Sequence, residues 1–440
     1  AAPAAPRALA WKRHFSVLCL GPESSTIPEV KGFFQYMAKI NTPRKKNFNF
    51  SLKLLQWYDR YGRNLPWREK DGRAPSPYHT WLSEIMLQQT GVATVIPYYQ
   101  NFTRRWPNIR ALAAASEGEI LKQWEGLGYY SRAHNLLKCA RQVVADHKGK
   151  LPRDIKMLND LPGIGPYTAN AIAAIAFDQP AVVVDGNVER VMARLFGYAQ
   201  PINTPKGKKD LTALAASLSP LKRSGDYAQG LMDLGAMICT PKNPDCAHCP
   251  WRTACKAFAL GKTAQWPVKT KKKATPTRYA VAYVVTDKTG HILLQQRPAK
   301  GLLGGLWEFP GTQARAKPFT SSEIQAHHPF ITSPSRHVTT PVSHVFSHFK
   351  LVTHVIAVSL KRRVKTQGQW FAPDALPAMA TLHTKILQAT VPPLAMAQKK
   401  RKMAVMRLVP ILLALLLISL PARADETEHY RDPTPVMLSD

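Results

Sequence analysis

Four cysteines within seventeen positions constrain this chain more than any other feature. They are separated by six, two and five residues: Cys239, Cys246, Cys249 and Cys255. Four thiolates on one short loop can close around a soft metal or an iron–sulfur cluster. Zinc sites usually pair cysteines at shorter spacing, so the long gaps favour iron–sulfur and leave zinc as the alternative. Six cysteines among 440 residues also exclude a disulfide-rich secreted scaffold.

Composition limits the size class and the partners of the chain. With 440 residues, 45% of them apolar, it can bury two or three hydrophobic cores. Lys and Arg number 60 against 28 Asp and Glu, a formal net charge of +32. Such a surface attracts polyanions, with nucleic acid the first candidate and an anionic membrane the second. Charged residues are only 20% of the chain, which excludes bulk disorder.

The two ends differ from the rest of the chain. Residues 1–36 open Ala/Pro-rich and precede the first methionine, Met37, so we expect a disordered leader or upstream sequence. Within 390–440, the apolar run Leu408–Leu420 precedes Ala422-Arg423-Ala424, the pattern of a secretory signal peptide. A membrane span needs about twenty residues. We therefore expect read-through or gene fusion there, with a C-terminal anchor as the alternative.

Hydrophobic periodicity divides the remainder into two domains. Residues 37–264 follow the helical period, and helices are predicted at 52–61, 78–90, 92–104, 117–124, 131–147, 168–177, 187–196, 208–217 and 226–238. A basic linker, 265–277, comes next. Residues 278–389 alternate as strands do, and strands are predicted at 279–286, 291–295, 351–360 and 369–371, with a turn at 287–290. The expected fold is an all-α domain followed by a smaller mixed α/β domain.

A Gly-x-Gly turn joins two of the helical stretches. Gly163 and Gly165 lie in Leu161-Pro-Gly-Ile-Gly-Pro-Tyr-Thr-Ala169. Glycines let backbone approach a ligand closely, and the helix that follows directs free N–H groups outwards. The turn therefore predicts a site for a DNA phosphate, although a plain helix connector has the same pattern.

Two carboxylates are candidates for acid chemistry. Asp185 stands where an apolar run gives way to a helix, and Glu84 lies in a helix that is apolar on most sides. Burial would raise the pKa of Glu84 and keep it protonated. A protonated carboxyl and an ionised one together suit cleavage of a glycosidic bond. The alternatives are a helix N-cap for Asp185 and an exposed helix position for Glu84.

In order, these motifs resemble the adenine DNA glycosylases of the helix-hairpin-helix superfamily. The matching segments are 83–90, 126–132, 161–165, 184–187 and the four-cysteine loop at 239–255. The resemblance covers about residues 37 to 389. It implies an all-α helix-hairpin-helix glycosylase domain with an iron–sulfur loop, then a Nudix-like mixed α/β domain. It also implies one 4Fe–4S cluster and removal of adenine opposite 8-oxoguanine or guanine in double-stranded DNA.

The resemblance assigns catalytic roles to four residues. Glu84 would protonate N7 of the extruded adenine, and Asp185 would stabilise the anomeric carbon. Tyr167 and Asn187 would position Asp185 and the intermediate. In bifunctional endonuclease-III-like relatives a lysine nucleophile occupies the position of Tyr167. We therefore expect a monofunctional enzyme that does not cleave the strand, and the bifunctional lyase is the main alternative.

The resemblance also assigns the substrate contacts. Trp67, Arg68 and Gln229 would form the adenine pocket. Gln89, Thr90 and Leu127 would contact the opposite oxidised guanine, with Tyr129 as the wedge in the base stack. A loop in the second domain would read 8-oxoguanine through Phe346, Ser347 and His348.

The second domain lacks the Arg-Glu…Glu-Glu helix with which Nudix hydrolases bind Mg²⁺. Gly304–Gly311 resembles the entry to a Nudix fold, but residues 312–325 carry one carboxylate, Glu323. We therefore expect this domain to read a base rather than to hydrolyse a nucleotide. A Nudix hydrolase and a catalytically silent damage-binding protein are competing hypotheses. The second domain's histidines lack paired ligand spacing and are expected at the surface rather than in a zinc site: His327, His328, His337, His344, His348 and His354.

The remaining expectations concern the setting of the protein. We expect a monomer with no obligate protein partner, bound to DNA in a bacterial-type cytoplasm and associated with the nucleoid. Membrane attachment is not expected despite the C-terminal apolar run.

Overall fold

The computed structural model describes residues 48–69, 75–270, 274–326, 335–364, 366 and 368–390, with no side-chain description at 325–326 and 335–339. The leader expected at 1–36, nearly all of the tail expected at 390–440 and the histidines at 327 and 328 lie outside these residues. Within them, no helix combines the length and the apolarity that crossing a membrane requires.

The first part of the chain is helical. Its α-helices are α1 (Phe50–Tyr61), α2 (Pro77–Leu87), α3 (Val92–Arg105), α4 (Ile109–Ala114), α5 (Glu117–Trp124), α6 (Ser131–Asp146), α7 (Ile155–Asn159), α8 (Pro166–Phe177), α9 (Gly186–Phe196), α10 (Pro205–Ala216), α11 (Ser224–Asp233) and α12 (Lys256–Ala259). A π-helical turn, Leu234–Ile238, continues α11. Short 3₁₀ turns lie at Cys246–His248, Arg252–Ala254 and Thr263–Gln265.

Short polar side chains begin many of these helices. Asn49, Ser76, Asp154 and Thr204 each accept a hydrogen bond from a backbone N–H in the first turn of the helix that follows. Ser116 forms a full capping box with Glu119. These contacts satisfy N–H groups that have no partner within the helix, so the sequence sets where each helix starts.

Two large hydrophobic cores and a smaller cluster between α8 and α11 hold the helical part together. One core packs α2 to α6 and the first turns of α8, around Trp81, Phe102 and Trp124. The other packs α1 against α9, α10 and α11, and three of the four clustered cysteines lie against it. Helix α8 is almost entirely apolar and packs on both α2 and α11. It therefore brings elements of the two cores to one place.

The second part contains a six-stranded mixed sheet. Its strands are β1 (Thr277–Asp287), β2 (Ile292–Gln296), β3 (Trp307–Glu308), β4 (Ser335–Val345), β5 (Lys350–Leu360) and β6 (Gln369–Phe371). The order is β3-β2-β1-β5-β4, β6 also pairs with β2, and β1 and β5 are parallel. Alternate residues of β1 enter two cores on opposite faces. Helix α14 (Thr381–Thr390) covers one face, and α13 (Ser321–Ala326) contributes Ile324 to the other.

The two parts contact each other directly. Leu306, Ala378 and Ala380 of the second part belong to the first helical core. The hydroxyl of Tyr130 donates to the carbonyl of Met379 at 3.1 Å. Basic linker residues also fold back, because Ile202 donates its N–H to the carbonyl of Val268 at 3.0 Å. The second domain is therefore docked on the helices that surround the candidate site.

Several predicted boundaries are wrong for identifiable reasons. The helix expected at 78–90 ends at Leu87, because Gln89 adopts a left-handed conformation with φ of 56°. The helix expected at 226–238 is α-helical only to Asp233 and then widens into the π turn. Strand β4 was not predicted; it contains Pro341 and a register shift, which weaken the alternating pattern. The other predicted helices and strands are present, with ends shifted by up to three residues.

Candidate functional site

A cavity open to solvent lies between α2, α11 and the loop after α1. It has an empty volume of about 400 Å³. Its lining includes four residues that the sequence assigned to one site: Trp67, Arg68, Glu84 and Gln229. The remaining lining residues are Arg63, Leu65, Thr80, Ser83, Leu87, Val92, Ile175 and Met232. The wall combines apolar side chains with convergent polar and charged groups, the arrangement of a small-molecule binding pocket.

Glu84 is the buried acid of this cavity. It lies in α2, where all but three residues of the helix are buried, and is itself 6% exposed. Burial raises its pKa to about 7, opposed by a hydrogen bond from Tyr167. The negative charge of Asp185 raises the pKa further, and Arg68 lowers it. Glu84 can therefore hold a proton near neutral pH and release it within the cavity.

Asp185 begins helix α9 and is held by two donors. Its Oδ1 accepts from the N–H of Val188 at 2.8 Å, and its Oδ2 accepts from Nδ2 of Asn187 at 2.8 Å. A carboxylate at a helix N-terminus is stabilised by the helix dipole. Arg190 continues the contact by donating to Oδ1 of Asn187 at 2.9 Å and to the carbonyl of Cys239 at 2.8 Å. Asp185 is therefore fixed in orientation at the N-terminus of α9.

Tyr167 lies between the two carboxyl groups. It belongs to the first turn of α8 and donates a hydrogen bond to Glu84. Its hydroxyl also lies 3.8 Å from Sδ of Met232. Burial, followed by the charges of Glu84 and Asp185, raises its pKa well above the usual value for tyrosine. Tyr167 is thus a neutral phenol that donates to Glu84 and whose pKa is also raised by the charge of Asp185.

Asp233 is a site residue that the sequence did not predict. It is fully buried and binds both arginines of the cavity: its oxygens accept from Arg63 Nε and Arg68 Nη1, each at 2.7 Å. Burial raises the pKa of Asp233, but the hydrogen bonds from Arg68 and Arg63 outweigh burial and keep it below the usual range. The sequence feature that could have indicated Asp233 is its position as a single acidic residue inside the apolar run 231–236.

Two neighbouring loops carry the residues assigned to the opposite base. Gln89 is exposed and Thr90 half-buried on the loop after α2, while Tyr129 is 45% exposed on the loop before α6. The side chain of Leu127 is buried in the core, so the structure does not present it at the surface. Ser347 of the β4–β5 loop donates its hydroxyl to that of Tyr129 at 3.2 Å. The second domain therefore reaches the same surface.

The other two residues of the β4–β5 loop differ in exposure. Phe346 is half-buried, with its ring centroid 5.0 Å from that of Phe349, and His348 is exposed.

The turn before α8 is as tight as its glycines suggest. Gly163 has a φ of 79°, and an added Cβ would lie 2.8 Å from Cβ of Asn135. Gly165 begins α8 with open space around it, so a phosphate could approach its backbone.

The four cysteines lie on one loop beside α9. Cys239, Cys249 and Cys255 pack against the second helical core. Burial raises the pKa of Cys249 to about 12, and the three other thiols raise it further. Arg194 lies 3.3 Å from Sγ of Cys239 through Nη1. In the described part of the chain, no three potential ligands are close enough to hold a single metal ion. The all-thiol donor set beside a buried arginine suits a larger iron–sulfur cluster.

Comparison with known proteins gives consistent matches to DNA repair enzymes. Residues 82–216 match the family model described as HhH-GPD superfamily base excision DNA repair protein, and residues 280–389 match the NUDIX domain model. The adenine DNA glycosylase of Rattus norvegicus is 38% identical over 384 residues, 74% of this chain and 72% of that protein. That of Buchnera aphidicola subsp. Schizaphis graminum is 34% identical over 328 residues, 73% of this chain and 92% of that protein.

A solved structure shows a weaker likeness. The chain is 33% identical to a thermostable thymine-DNA glycosylase, over 48% of this chain and 95% of that one, with a TM-score of 0.43. The family membership of the chain rests on the long sequence matches to adenine DNA glycosylases.

Proposed function

Because this chain belongs to the adenine DNA glycosylase family, we propose that it excises adenine paired with 8-oxoguanine or guanine and leaves the DNA strand intact. It is a base-excision-repair hydrolase of the N-glycosidic bond of adenine, with a helix-hairpin-helix domain followed by a Nudix-like domain. The observation that carries the proposed mechanism is the pairing of a buried, protonatable Glu84 with a hydrogen-bonded Asp185 beside one cavity.

Extrusion of the adenine comes before the chemistry. A base in a duplex must leave the stack to reach a pocket, at a cost of a few kcal/mol. Tyr129, whose side chain is 45% exposed, would fill the vacated position. Trp67, Arg68 and Gln229 line the cavity that would receive the base. Asp233 holds Arg68 in place there through two hydrogen bonds.

The bond then breaks by acid catalysis. Glu84 donates its proton to N7 of adenine, the C1′–N9 bond cleaves, and the bonding electrons leave with the base. Asp185 stabilises the positive charge that develops on the sugar. Water adds to C1′ and gives its proton to Glu84, which restores the acid. Tyr167 and Asn187 keep the two carboxyl groups in position through the hydrogen bonds described above.

The side chain of Tyr167 decides between two glycosylase classes. A lyase requires an amine that forms a Schiff base with the sugar, and a phenol cannot do so. We therefore propose monofunctional excision, with strand breakage only after alkali.

Three further parts of the proposal concern what the protein binds. Cys239, Cys246, Cys249 and Cys255 would hold a 4Fe–4S cluster, which would hold this basic loop in shape for docking on phosphate. The backbone at Gly163 and Gly165 would bind a phosphate of the same duplex. The β4–β5 loop would read the opposite 8-oxoguanine. We also propose that the protein works as a monomer on chromosomal DNA in a bacterial-type cytoplasm.

A single-turnover assay tests the proposal. The substrates are duplexes with one adenine opposite 8-oxoguanine, guanine or thymine, and each reaction is analysed with and without alkali. We expect adenine release opposite 8-oxoguanine and guanine, and breakage only after alkali. Breakage without alkali would indicate a lyase, and no release would indicate a damage-binding protein with an idle site. Equal release opposite thymine would contradict the proposed mispair preference.

A further inference from the structure

Arg132 is a buried arginine whose bonds go to backbone and hydroxyl groups. It lies in α6 and is 7% exposed. Its guanidinium donates to six acceptors in two segments: the carbonyls of Ile85, Met86 and Gln88, the hydroxyl of Thr90, and the carbonyls of Leu127 and Gly128. Nη1 makes the contacts to 85–88 at 2.7–3.1 Å, and Nη2 makes those to 90 and 127–128 at 3.0–3.2 Å.

The surroundings explain how a cation remains in this position. The carbonyls of Ile85, Met86 and Gln88 belong to the last turn and the C-cap of α2, where unpaired carbonyls and the helix dipole favour positive charge. The rings of Trp124 and Tyr129 lie 5.2 and 5.6 Å from the guanidinium carbon, within range of cation–π attraction. Burial lowers the pKa of Arg132 to about 10, so the group stays charged at neutral pH.

Arg132 joins two loops that are both held in unusual conformations. Gln89 and Tyr129 adopt left-handed backbones, with φ of 56° and 47°. Gly126 and Gly128 also have positive φ, of 106° and 69°, which glycine adopts without strain. At Gln89 and Tyr129 a left-handed conformation persists only where neighbouring contacts enforce it, and such residues concentrate at functional sites. The bonds from Arg132 to carbonyls on both loops are contacts of that kind.

The same guanidinium connects these loops to the acid. Glu84 lies one residue before Ile85, whose carbonyl Arg132 binds. The end of α2 therefore cannot shift relative to the 126–129 loop without breaking several hydrogen bonds. Because Tyr129 also accepts from Ser347, the second domain contacts the same assembly.

We propose that Arg132 is a positioning residue that sets the spacing of the two loops facing the base opposite adenine and ties that spacing to the helix of Glu84. This inference rests on the proposed function, because it takes the opposite base as the object that the loops contact. It predicts that Arg132 controls how strongly the opposite base changes the rate of adenine release.

A purely structural arginine would behave differently. Its loss would lower stability and the active fraction, and both would scale the rates on all substrates together. The ratio of two single-turnover rate constants from one preparation does not depend on the active fraction. This ratio therefore separates the positioning role from the structural one.

The experiment compares Arg132→Lys with the wild-type chain. Lysine keeps the positive charge but has one nitrogen in place of the planar fork, so it cannot serve both segments. Rate constants for adenine release are measured with 8-oxoguanine and with guanine opposite the adenine. We expect the ratio of the rate constant opposite 8-oxoguanine to that opposite guanine to fall about tenfold, toward one. Small misplacements of reacting groups cost up to about 100-fold in rate.

Arg141→Lys is the matched control. Arg141 lies on the same helix and likewise donates to carbonyls at a helix end, those of Ala113 and Ala115, away from the two loops. Its substitution is expected to leave the ratio at the wild-type value. If Arg132→Lys fails to fold, Trp124→Phe is measured in its place, because it removes the 3.0 Å bond from the indole to the carbonyl of Gly128. The same fall in ratio is expected.

The outcomes separate this inference from the proposed function. A wild-type ratio well above one that falls in the Arg132 variant, or in its Trp124 substitute, but not in the Arg141 variant supports the inference. A high wild-type ratio that the tested variant leaves unchanged overturns the inference alone. A wild-type ratio near one overturns the proposed mispair preference and this inference with it.

Discussion

Glu84 of the helical domain and three carboxylates of the Nudix-like domain lie in opposite environments. In the helical domain, Glu84 is buried, bonds to a phenol and has a pKa raised to about 7. In the Nudix-like domain, Glu323 is bound by Arg315, which holds its pKa at about 2. Asp287 is bound by Arg363 there, and Glu308 by Arg297.

The difference shows which acidic groups can do chemistry. A carboxyl group must hold a proton near neutral pH to act as an acid, and burial that outweighs the effect of nearby cations provides this. A carboxylate bound by arginine stays ionised and has its oxygens occupied, so it is a poor acid and a poor ligand for Mg²⁺. The Nudix-like domain thus uses its acidic residues for structure, and the helical domain keeps one free for catalysis.

The largest expected effect is on the buried acid. Glu84→Gln keeps the size of the side chain and removes the proton donor. We expect adenine release under single-turnover conditions to slow by roughly 10²–10⁴-fold, the usual contribution of a general acid. Glu323→Gln, which changes an arginine-bound carboxylate of the other domain, is the control and should leave the rate unchanged. A Glu84→Gln rate close to that of wild type would contradict the assignment of Glu84 as the catalytic acid.

The second largest effect is expected at Asp185. Asp185→Asn preserves a good helix N-cap, so the melting temperature should change little. Loss of the negative charge beside the sugar cation should slow adenine release by roughly 10²–10³-fold, as for other groups that stabilise a transition-state charge. Thermal unfolding and single-turnover rates of the same preparation check both parts. A large loss of stability with a small loss of rate would assign Asp185 to the fold instead.

Burial of the acid should also cost stability at high pH. The pKa of Glu84 is about 7 when folded, against an ordinary value of 4.5. The folded state therefore binds more protons between these values, and stability is lost as pH rises through about 7. Glutamine carries no such charge. The free energy of unfolding of Glu84→Gln, measured in urea, should therefore rise by about 2–3 kcal/mol relative to that of wild type as the pH goes from 5 to 8. An equal difference at both pH values would contradict the raised pKa.

The smallest expected effect is in the Nudix-like domain. With Asp287, Glu308 and Glu323 each bound by an arginine, the wild-type protein should release no pyrophosphate from 8-oxo-dGTP and Mg²⁺ above the enzyme-free background. A known Nudix hydrolase in parallel confirms that the assay works. Measurable turnover that Glu308→Gln abolishes would show that this domain retains an active site.

Local patterns predicted much of the fold and part of the site. Helical periodicity located α5 and α6 almost to the residue, and the apolar neighbours of Glu84 indicated its burial. The N-cap that the sequence offered as the alternative role of Asp185 is present in the structure. Each of these features depends on residues within a few positions of one another.

Long-range contacts were beyond such patterns. Asp233 meets Arg68 across 165 positions, and Ser347 meets Tyr129 across 218. Arg132 was visible in its motif, but five of its six acceptors are backbone carbonyls, which carry no sequence signal. The roles assigned to single residues came from the family resemblance and remain to be tested.

The pH dependence of wild-type adenine release tests the central claim most directly. The rate constant is measured under single-turnover conditions, with enzyme in excess, between pH 6 and pH 9. If the buried Glu84 is the acid, the rate constant falls about tenfold for each pH unit above 7, because its pKa is about 7. The residual rate of Glu84→Gln lacks this fall. A wild-type rate constant that stays level from pH 7 to pH 9 would contradict the account.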